Sequence, residues 1–340
     1  MTRFSTLQNF LVSLAGKVVI VTGGGSGIGA TSARLFASEG AHVVVTGRRK
    51  ANLDAVVRDI KAAGKGDALA VQADVTSDAD WYKIKAETLS KFGRVDFLLN
   101  NAGFEGNGES LAGCSDKDLV TIFAINNVGP LLGVKHFADE LAKTKGGVAI
   151  VSSVAGLITK FSMPSDGFAP YAMTKSAAEG FVRALHLPLL QRGVRIFGIN
   201  PAVYSSEMVE KMTASEVSRA IGVTSPAAFA FGFNPLGNLG NPIDVAKVIL
   251  ATINGTSKLG SGDGFAVMPS PTEGDPLVVA TNYFNQHLSD NVSLTALYAD
   301  APLLDFKGEP VPAEKAASLK AAITKHQQTV AEAMAAAQKK

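Results

Sequence analysis

One junction near the amino end restricts this chain more than any other feature. Lys17 and the unbroken apolar run Val18-Val19-Ile20-Val21-Thr22 enter a glycine turn, Gly23-Gly24-Gly25-Ser26-Gly27-Ile28-Gly29, and a helical segment from Ala30 to Ser38 leaves it. A strand with no polar alternation is buried on both faces, so this reads as the first β-α unit of a parallel sheet. Gly23, Gly27 and Gly29 have the spacing Gly-x-x-x-Gly-x-Gly. Without side chains there, the turn is tight and the helix start stays open. Its N–H groups and partial positive charge then suit an anion such as a pyrophosphate. Ser26 and Ile28 complete the stretch that would face it.

The same alternation continues along the chain. Strands are expected at 40–46, 68–71, 95–99, 147–151, 194–199 and 264–268, with helices at 51–63, 77–91 and 171–190. This spacing predicts an α/β fold of Rossmann type, a doubly wound parallel sheet with helices on both faces. Residues 1–270 read as one dinucleotide-binding and catalytic domain. Residues 271–340 read as an extension, irregular at first and then helical over 312–340, where Leu319, Ile323, Val330 and Met334 form a sparse apolar stripe. It is read as part of the same body rather than an independent domain.

The ends of these strands hold the polar groups a nucleotide would need. After the second strand, Thr46-Gly47-Arg48-Arg49-Lys50 offers no carboxylate for a ribose 2′-hydroxyl and three cations in its place. A guanidinium at Arg48 forms a bidentate fork to phosphate, which favours NADP(H) over NAD(H). Arg49 and Lys50 are read as a solvated cationic turn. Asp74, followed by Val75, would hold an adenine amino group or cap the helix starting near Ser77. Asn100-Asn101-Ala102-Gly103 ends the fourth strand with small residues suited to a flat ring.

Tyr171 and Lys175 open the long helix at i and i+4, so both point toward one spot. A phenol ordinarily titrates near 10, too high for neutral acid–base work, and a neighbouring ammonium together with a cationic nicotinamide would favour its phenolate. Ser153, after the fifth strand, would donate to a carbonyl or alkoxide oxygen where charge develops.

Together these residues resemble the short-chain dehydrogenase/reductase family over roughly residues 15–270. Thr22-Gly23-x-x-x-Gly27-x-Gly29, Asn100-Asn101-Ala102-Gly103, Ser153, Tyr171 and Lys175 stand in the family's order. The resemblance implies Asn126 as a fourth catalytic residue, with Asn127 as the neighbour if the register slips. It implies Tyr171 as acid/base, Lys175 lowering the pKa of Tyr171 and binding the nicotinamide ribose, and Ser153 positioning the substrate oxygen. Asn126 would hold a relay water. Gly23, Ser26, Gly27, Ile28, Gly29, Arg48, Asp74, Val75, Asn101, Ala102, Gly103, Pro201 and Ser206 would line the cofactor. The chain departs from the pattern in three places. The gap of eighteen residues from Ser153 to Tyr171 is longer than usual, the proline–glycine after the sixth strand becomes Pro201-Ala202, and Pro269-Ser270-Pro271 replaces a closing glycine pair.

Composition limits the rest. A net charge of +2 gives no nucleic-acid footprint. One cysteine, Cys114, and five scattered histidines give neither a disulfide framework nor metal-ligand spacing. No apolar run is long enough to span a membrane. The opening MTRFSTLQNFLVSLAG reads as a strand-leading extension, with organelle targeting as the lesser alternative, and a cytoplasmic enzyme is expected. Tyr204, Met208, Met212, Phe229, Phe231 and Phe233 in segment 203–239, with Phe161, Met163 and Phe168, suggest a rim for an apolar carbonyl or alcohol, or else packing of a lid. The resemblance implies a homodimer or homotetramer joined across 118–143 and 171–190. The rival readings are an NAD-dependent alcohol dehydrogenase of the same family and a non-catalytic dinucleotide-binding partner protein.

Overall fold

The computed structural model describes residues 13–106, 110–157, 166–214, 225–234, 236–255, 261–262, 264–269, 276–280 and 301–337, with backbone alone at 232–233, 331 and 333–337. The opening segment through residue 12, Phe161, Met163, and the side chains of Phe233 and Met334 lie outside the described part.

The chain winds a nine-stranded sheet in the order β3-β2-β1-β4-β5-β6-β7-β8-β9. Seven strands are parallel: β1 Val18–Thr22, β2 His42–Gly47, β3 Ala68–Gln72, β4 Phe97–Asn100, β5 Gly147–Val151, β6 Arg195–Pro201 and β7 Gly264–Met268. Helices α1 Gly27–Ser38, α2 Lys50–Ala63, α3 Asp78–Phe92, α4 Asp116–Phe123, α5 Gly129–Thr144 and α6 Ala169–Leu190 provide the crossovers of the first six. Then follow α7 Glu207–Thr213, α8 Pro226–Phe233 and α9 Pro242–Ile253.

Strand alternation sorts the core into two layers. Val19, Val21, Val43 and Val45 pack with Phe36 of α1, Leu53 and Ile60 of α2, and Val245 and Ile249 of α9. Val18, Ile20 and Val44 face the other way, onto Trp81 of α3, Phe137 of α5 and Val182 of α6. A period of two puts neighbouring residues on opposite faces, and both faces are covered, so every residue of β1 is buried. The chain reverses its direction of travel across the sheet between β1 and β4, and open α/β sheets bind ligands at the carboxyl ends beside such a point.

The carboxyl-terminal part differs from the expectation. The regular sheet does not stop at Met268: β8 Leu277–Ala280 returns antiparallel to β7, and β9 Leu304–Asp305 pairs antiparallel to β8. Leu277-Val278-Val279-Ala280 is a short apolar run among Pro, Gly, Asn and Asp. Its strand character comes from the free edge of β7, which supplies the hydrogen-bond partners. The terminal helix, α10 Ala313–Ala337, sets Leu319 and Ile323 into a third cluster with Met268 of β7, Leu277 and Val279 of β8, and Leu303. Ile323 is fully buried. Ile323→Ala should lower the free energy of chemical unfolding by about 2–5 kcal/mol, the usual cost of a buried aliphatic truncation, and an unchanged denaturant midpoint would show α10 to be unattached.

Candidate active site

The carboxyl ends of β1, β2, β4, β5 and β6 open into one cleft of about 940 Å3. Of the residues singled out from sequence, Gly23, Ser26, Gly27, Ile28, Arg48, Asp74, Val75, Asn101, Ala102, Gly103, Ser153, Tyr171, Lys175, Pro201 and Ser206 line it. Gly29 and Asn126 do not line the cleft, and each acts on its shape from behind.

Gly29 closes the first turn of α1 against β1. A Cβ there would lie 2.4 Å from the Gly23 carbonyl oxygen and 2.5 Å from Asn101 Nδ2, so no side chain fits. Gly23 has φ +62 and would drive a Cβ to 2.9 Å from Ala102 Cα. The turn is therefore held directly against the end of β4. Thr22 Oγ1 accepts from the amides of Asn101 and Ala102, both at 3.0 Å, and Asn101 Nδ2 donates to the Thr22 carbonyl at 2.9 Å. Helix α1 starts in the cleft with no acidic residue in its first turn, and Ser26 at its N-cap makes no side-chain cap bond. Its leading N–H groups carry the positive end of the helix dipole into open space.

The cationic turn after β2 is exposed, as its sequence suggests, but Arg49 is also tied to its neighbours. Arg49 Nη2 donates to Ser26 Oγ at 3.0 Å, and Nη1 donates to Glu207 Oε2 at 2.7 Å. It thus links the glycine turn to α7, while Arg48 lines the cleft with an exposed side chain. Asp74 accepts from Thr76 N and Oγ1, and α3 is capped by Ser77, which accepts from Asp80 N. Of the two roles considered for Asp74, the cap belongs to Ser77. Ser206 is the N-cap of α7, accepting from Val209 N at 3.2 Å. Its Cβ lies 3.6 Å from where a side chain on Gly27 would begin.

The opposite wall carries the titratable groups. Tyr171 and Lys175 project from the first turns of α6, with Lys175 Nζ 5.5 Å from the centre of the Tyr171 ring. The ammonium donates to the Val151 carbonyl at 2.9 Å. The Ser153 side chain lies near enough to the Tyr171 hydroxyl to act on its proton affinity. Burial pushes Tyr171 up to about 12; the Ser153 contact pulls it down, and the carboxylate of Glu105 pushes it further up. Burial also brings Lys175 down to about 8. The expected lowering of Tyr171 by Lys175 is thus not the outcome in the protein alone. Loss of water disfavours both charged forms at once, and the phenol stays neutral.

Asn126 lies in a π-turn, Ala124–Val128, between α4 and α5. Such a bulge swings one residue inward without breaking the helix path. Its Oδ1 accepts from Phe104 N at 2.8 Å, while Nδ2 donates to the Phe104 carbonyl at 2.8 Å and to Thr174 Oγ1 at 2.9 Å. Asn127 instead donates to the Thr174 carbonyl. Asn126 therefore fastens the loop after β4 to α6, and a Cβ on Gly103 would sit 3.6 Å from both Asn126 Oδ1 and Lys175 Nζ.

On the outer side, Phe168 and Phe229 stack at 6.2 Å and pack with Val203, Val209 and Met212, and all five also line the cleft. The lid-packing and rim-lining readings thus describe the same side chains. Phe231 is a correction: it is absent from the cleft wall and meets His326 of α10 edge-on at 4.8 Å. Sequence reasoning passed over Thr22 as a brace, Ser152, whose Oγ donates to the Lys175 carbonyl, and Glu105. Only the position of Glu105, directly after Asn100–Phe104, could have drawn attention to it.

A sequence-family profile described as short chain dehydrogenase matches residues 17–217. The 2,5-dichloro-2,5-cyclohexadiene-1,4-diol dehydrogenase of Sphingobium indicum is 34% identical over 254 residues, covering 73% of this chain and 93% of that one. The 3-oxoacyl-[acyl-carrier-protein] reductase of Synechocystis is 32% identical over 241 residues, or 70% of this chain and 90% of that protein. The crystal structure of a 3-ketoacyl-(acyl-carrier-protein) reductase from Brucella melitensis complexed with NADH superposes with a TM-score of 0.65 at 27% identity, over 75% of this chain and 98% of that one.

Asn126→Ala removes the partners of both Phe104 backbone groups and should cost about 1–3 kcal/mol of unfolding free energy. It should also speed hydrogen exchange at the Phe104 amide. An amide protected as before would mean that the loop holds itself.

Proposed function

This chain belongs to the short-chain dehydrogenase family, and on that footing we propose that it is an NADP(H)-dependent oxidoreductase interconverting a carbonyl and a secondary alcohol on a small, largely apolar molecule. The observation that carries the reading is the meeting of Ser153, Tyr171 and Lys175 in the cleft that the glycine turn opens.

The cleft fits a dinucleotide. The side-chain-free cradle at Gly23 and Gly29, and the uncapped start of α1, suit a pyrophosphate. Asn101, Ala102 and Gly103 would lie along the nicotinamide half, and Pro201 and Ser206 would bound its far side, with Val75 and Asp74 toward the adenine. When bound, the cofactor supplies or accepts the hydride.

The protein's own part is proton handling and alignment. A substrate oxygen that reaches Tyr171 would also come within reach of Ser153, which acts on that phenol. With its pKa near 12 in the protein alone, Tyr171 holds its proton at neutral pH and can deliver it to a ketone oxygen as negative charge develops there. The reverse reaction needs the phenolate. Bringing positive charge beside the ring, from protonated Lys175 and the oxidised cofactor, is what would lower Tyr171 for that direction. Asn126 keeps the loop after β4 in register with Lys175 and would hold a relay water behind it.

Arg48 is the basis for preferring the 2′-phosphate, since β2 ends without a carboxylate. Arg49, held to Ser26 beside the same turn, adds a second guanidinium within the cleft wall. The NADH carried by the Brucella reductase favours the NAD-dependent alternative. The apolar substrate class rests on Phe168, Phe229, Met208 and Met212 in the wall. Subunits would meet across α4, the π-turn that follows it, α5 and α6, where Val120, Val128, Leu131, Leu187 and Leu190 are exposed. We read residues 271–340 as an annex of the same body through β8 and α10.

Two measurements test this. Purified protein assayed with NADPH and NADH against ketones and alcohols should turn over, and Tyr171→Phe should abolish turnover while leaving dinucleotide affinity within a few-fold. Retained turnover would remove Tyr171 as the proton donor. Arg48→Ala should weaken NADPH binding about tenfold or more, the order expected of a charge-assisted fork, with little change for NADH in fluorescence titration. Equal losses would assign the protein to the NAD-dependent reading.

A further inference from the structure

Glu105 is a carboxylate of the cleft that the proposed chemistry does not use; of the others, Asp166 accepts from the Leu111 amide and Glu207 pairs with Arg49. Glu105 lines the same cleft as Tyr171 and Ser153. Its backbone position is set from both sides. Phe104, immediately before it, is clamped through both backbone groups by Asn126. Gly106, immediately after it, has φ +91 and turns the chain away. Among the described residues its side chain accepts only from its own amide, and it feels Lys211 of α7 through the electrostatic field without forming an ion pair. Half-buried as it is, the carboxyl is held above its usual range by lost hydration. It is close enough to Tyr171 for its charge to act on the phenol.

A carboxyl group fixed in position, stripped of part of its water and given, among the described residues, no donor but its own amide keeps acceptor sites that a ligand donor can fill. The donor must belong to a molecule whose reacting oxygen sits at Tyr171. The neighbouring charges decide which donor. Lys175 and Lys211 both line the cleft, Lys211 near enough to act on Glu105 and Lys175 beside Gly103, so an ammonium on the substrate would meet two cations of its own sign. A neutral hydroxyl meets no such repulsion, and its O–H can donate to Glu105 while its oxygen faces the lysines.

Building on the oxidoreductase reading above, we infer that Glu105 is a specificity residue which selects substrates bearing a second hydroxyl beside the reacting carbon, a diol or the corresponding hydroxyketone. The apolar wall of Phe168, Phe229 and Met212 then holds the carbon skeleton, and the molecule is polar along one edge only.

The test compares cyclohexanol, cyclohexane-1,2-diol and 2-aminocyclohexanol with the full-length protein, Glu105→Ala and Glu105→Gln. The readouts are kcat/KM with oxidised dinucleotide and calorimetric binding to the dinucleotide-loaded protein, with melting temperature checked for each variant. The wild type should favour the diol over cyclohexanol by about 10- to 100-fold, the range that a hydrogen bond to a charged group carries. Glu105→Ala should erase that ratio, and Glu105→Gln, which keeps an acceptor oxygen without the charge, should retain part of it. Equal kcat/KM for diol and cyclohexanol, a ratio untouched by Glu105→Ala, or a preference for the amino alcohol would each overturn the inference and leave the oxidoreductase reading standing. If no alcohol or ketone turns over, the oxidoreductase reading falls. Binding then decides for Glu105: a diol preference lost in Glu105→Ala supports the inference, and no preference overturns it.

Discussion

The contact on which the rest depends is the join between the ends of β1 and β4. There the Thr22 hydroxyl accepts two successive backbone amides, and the Asn101 amide group reaches back to the Thr22 carbonyl. This is the point where the sheet order reverses, so the loops on either side diverge and leave a crevice between them. The same Asn101 amide lies so near α1 that position 29 must be glycine. Strand pairing, helix packing and the width of the cleft are one geometric problem at this place. A side chain at either Gly23 or Gly29 would separate the turn from β4 and take the cleft floor with it.

The opposite wall is governed by dehydration. Tyr171 and Lys175 are both held where water is scarce, and each is moved toward its neutral form. That shared direction matters for chemistry: a neutral phenol is ready to give a proton, and taking one requires charge to be supplied from outside the apolar wall. Glu105 adds to the same bias by placing negative potential beside the phenol. Asn126 gives the wall its rigidity, since a single side chain ties the loop after β4 to α6 through three hydrogen bonds. Alignment of this kind does not show in the distance between any two reacting groups, yet it sets how well they can be aligned.

The carboxyl-terminal segment shows how an edge can recruit structure. In a sheet that ended at β7, its outer edge would present unpaired backbone groups. Here β8 and β9 continue the pairing, and α10 covers the added strands with Leu319 and Ile323. Through His326, whose Nε2 lies 2.8 Å from the Phe231 carbonyl oxygen, the same helix also touches α8 beside the cleft. The segment is therefore joined both to the sheet and to the outer rim of the site.

Sequence alone determined the parallel core, because strands buried on both faces cannot alternate and glycine turns admit few alternatives. Val18–Thr22 with Gly23–Gly29, and Tyr171 with Lys175 one helical turn apart, are local statements that a reader of residues can make. Tertiary structure decided what depends on distant neighbours. Leu277–Ala280 became a strand only because β7 offered an edge, Arg49 found Ser26 of the glycine turn and Glu207 of α7, and Phe231 turned to His326 instead of the site. The ionisation of Tyr171 likewise belongs to the fold. Its hydration and the field of Glu105 are set by packing among segments far apart in the chain, and neither leaves a mark on the spacing of residues.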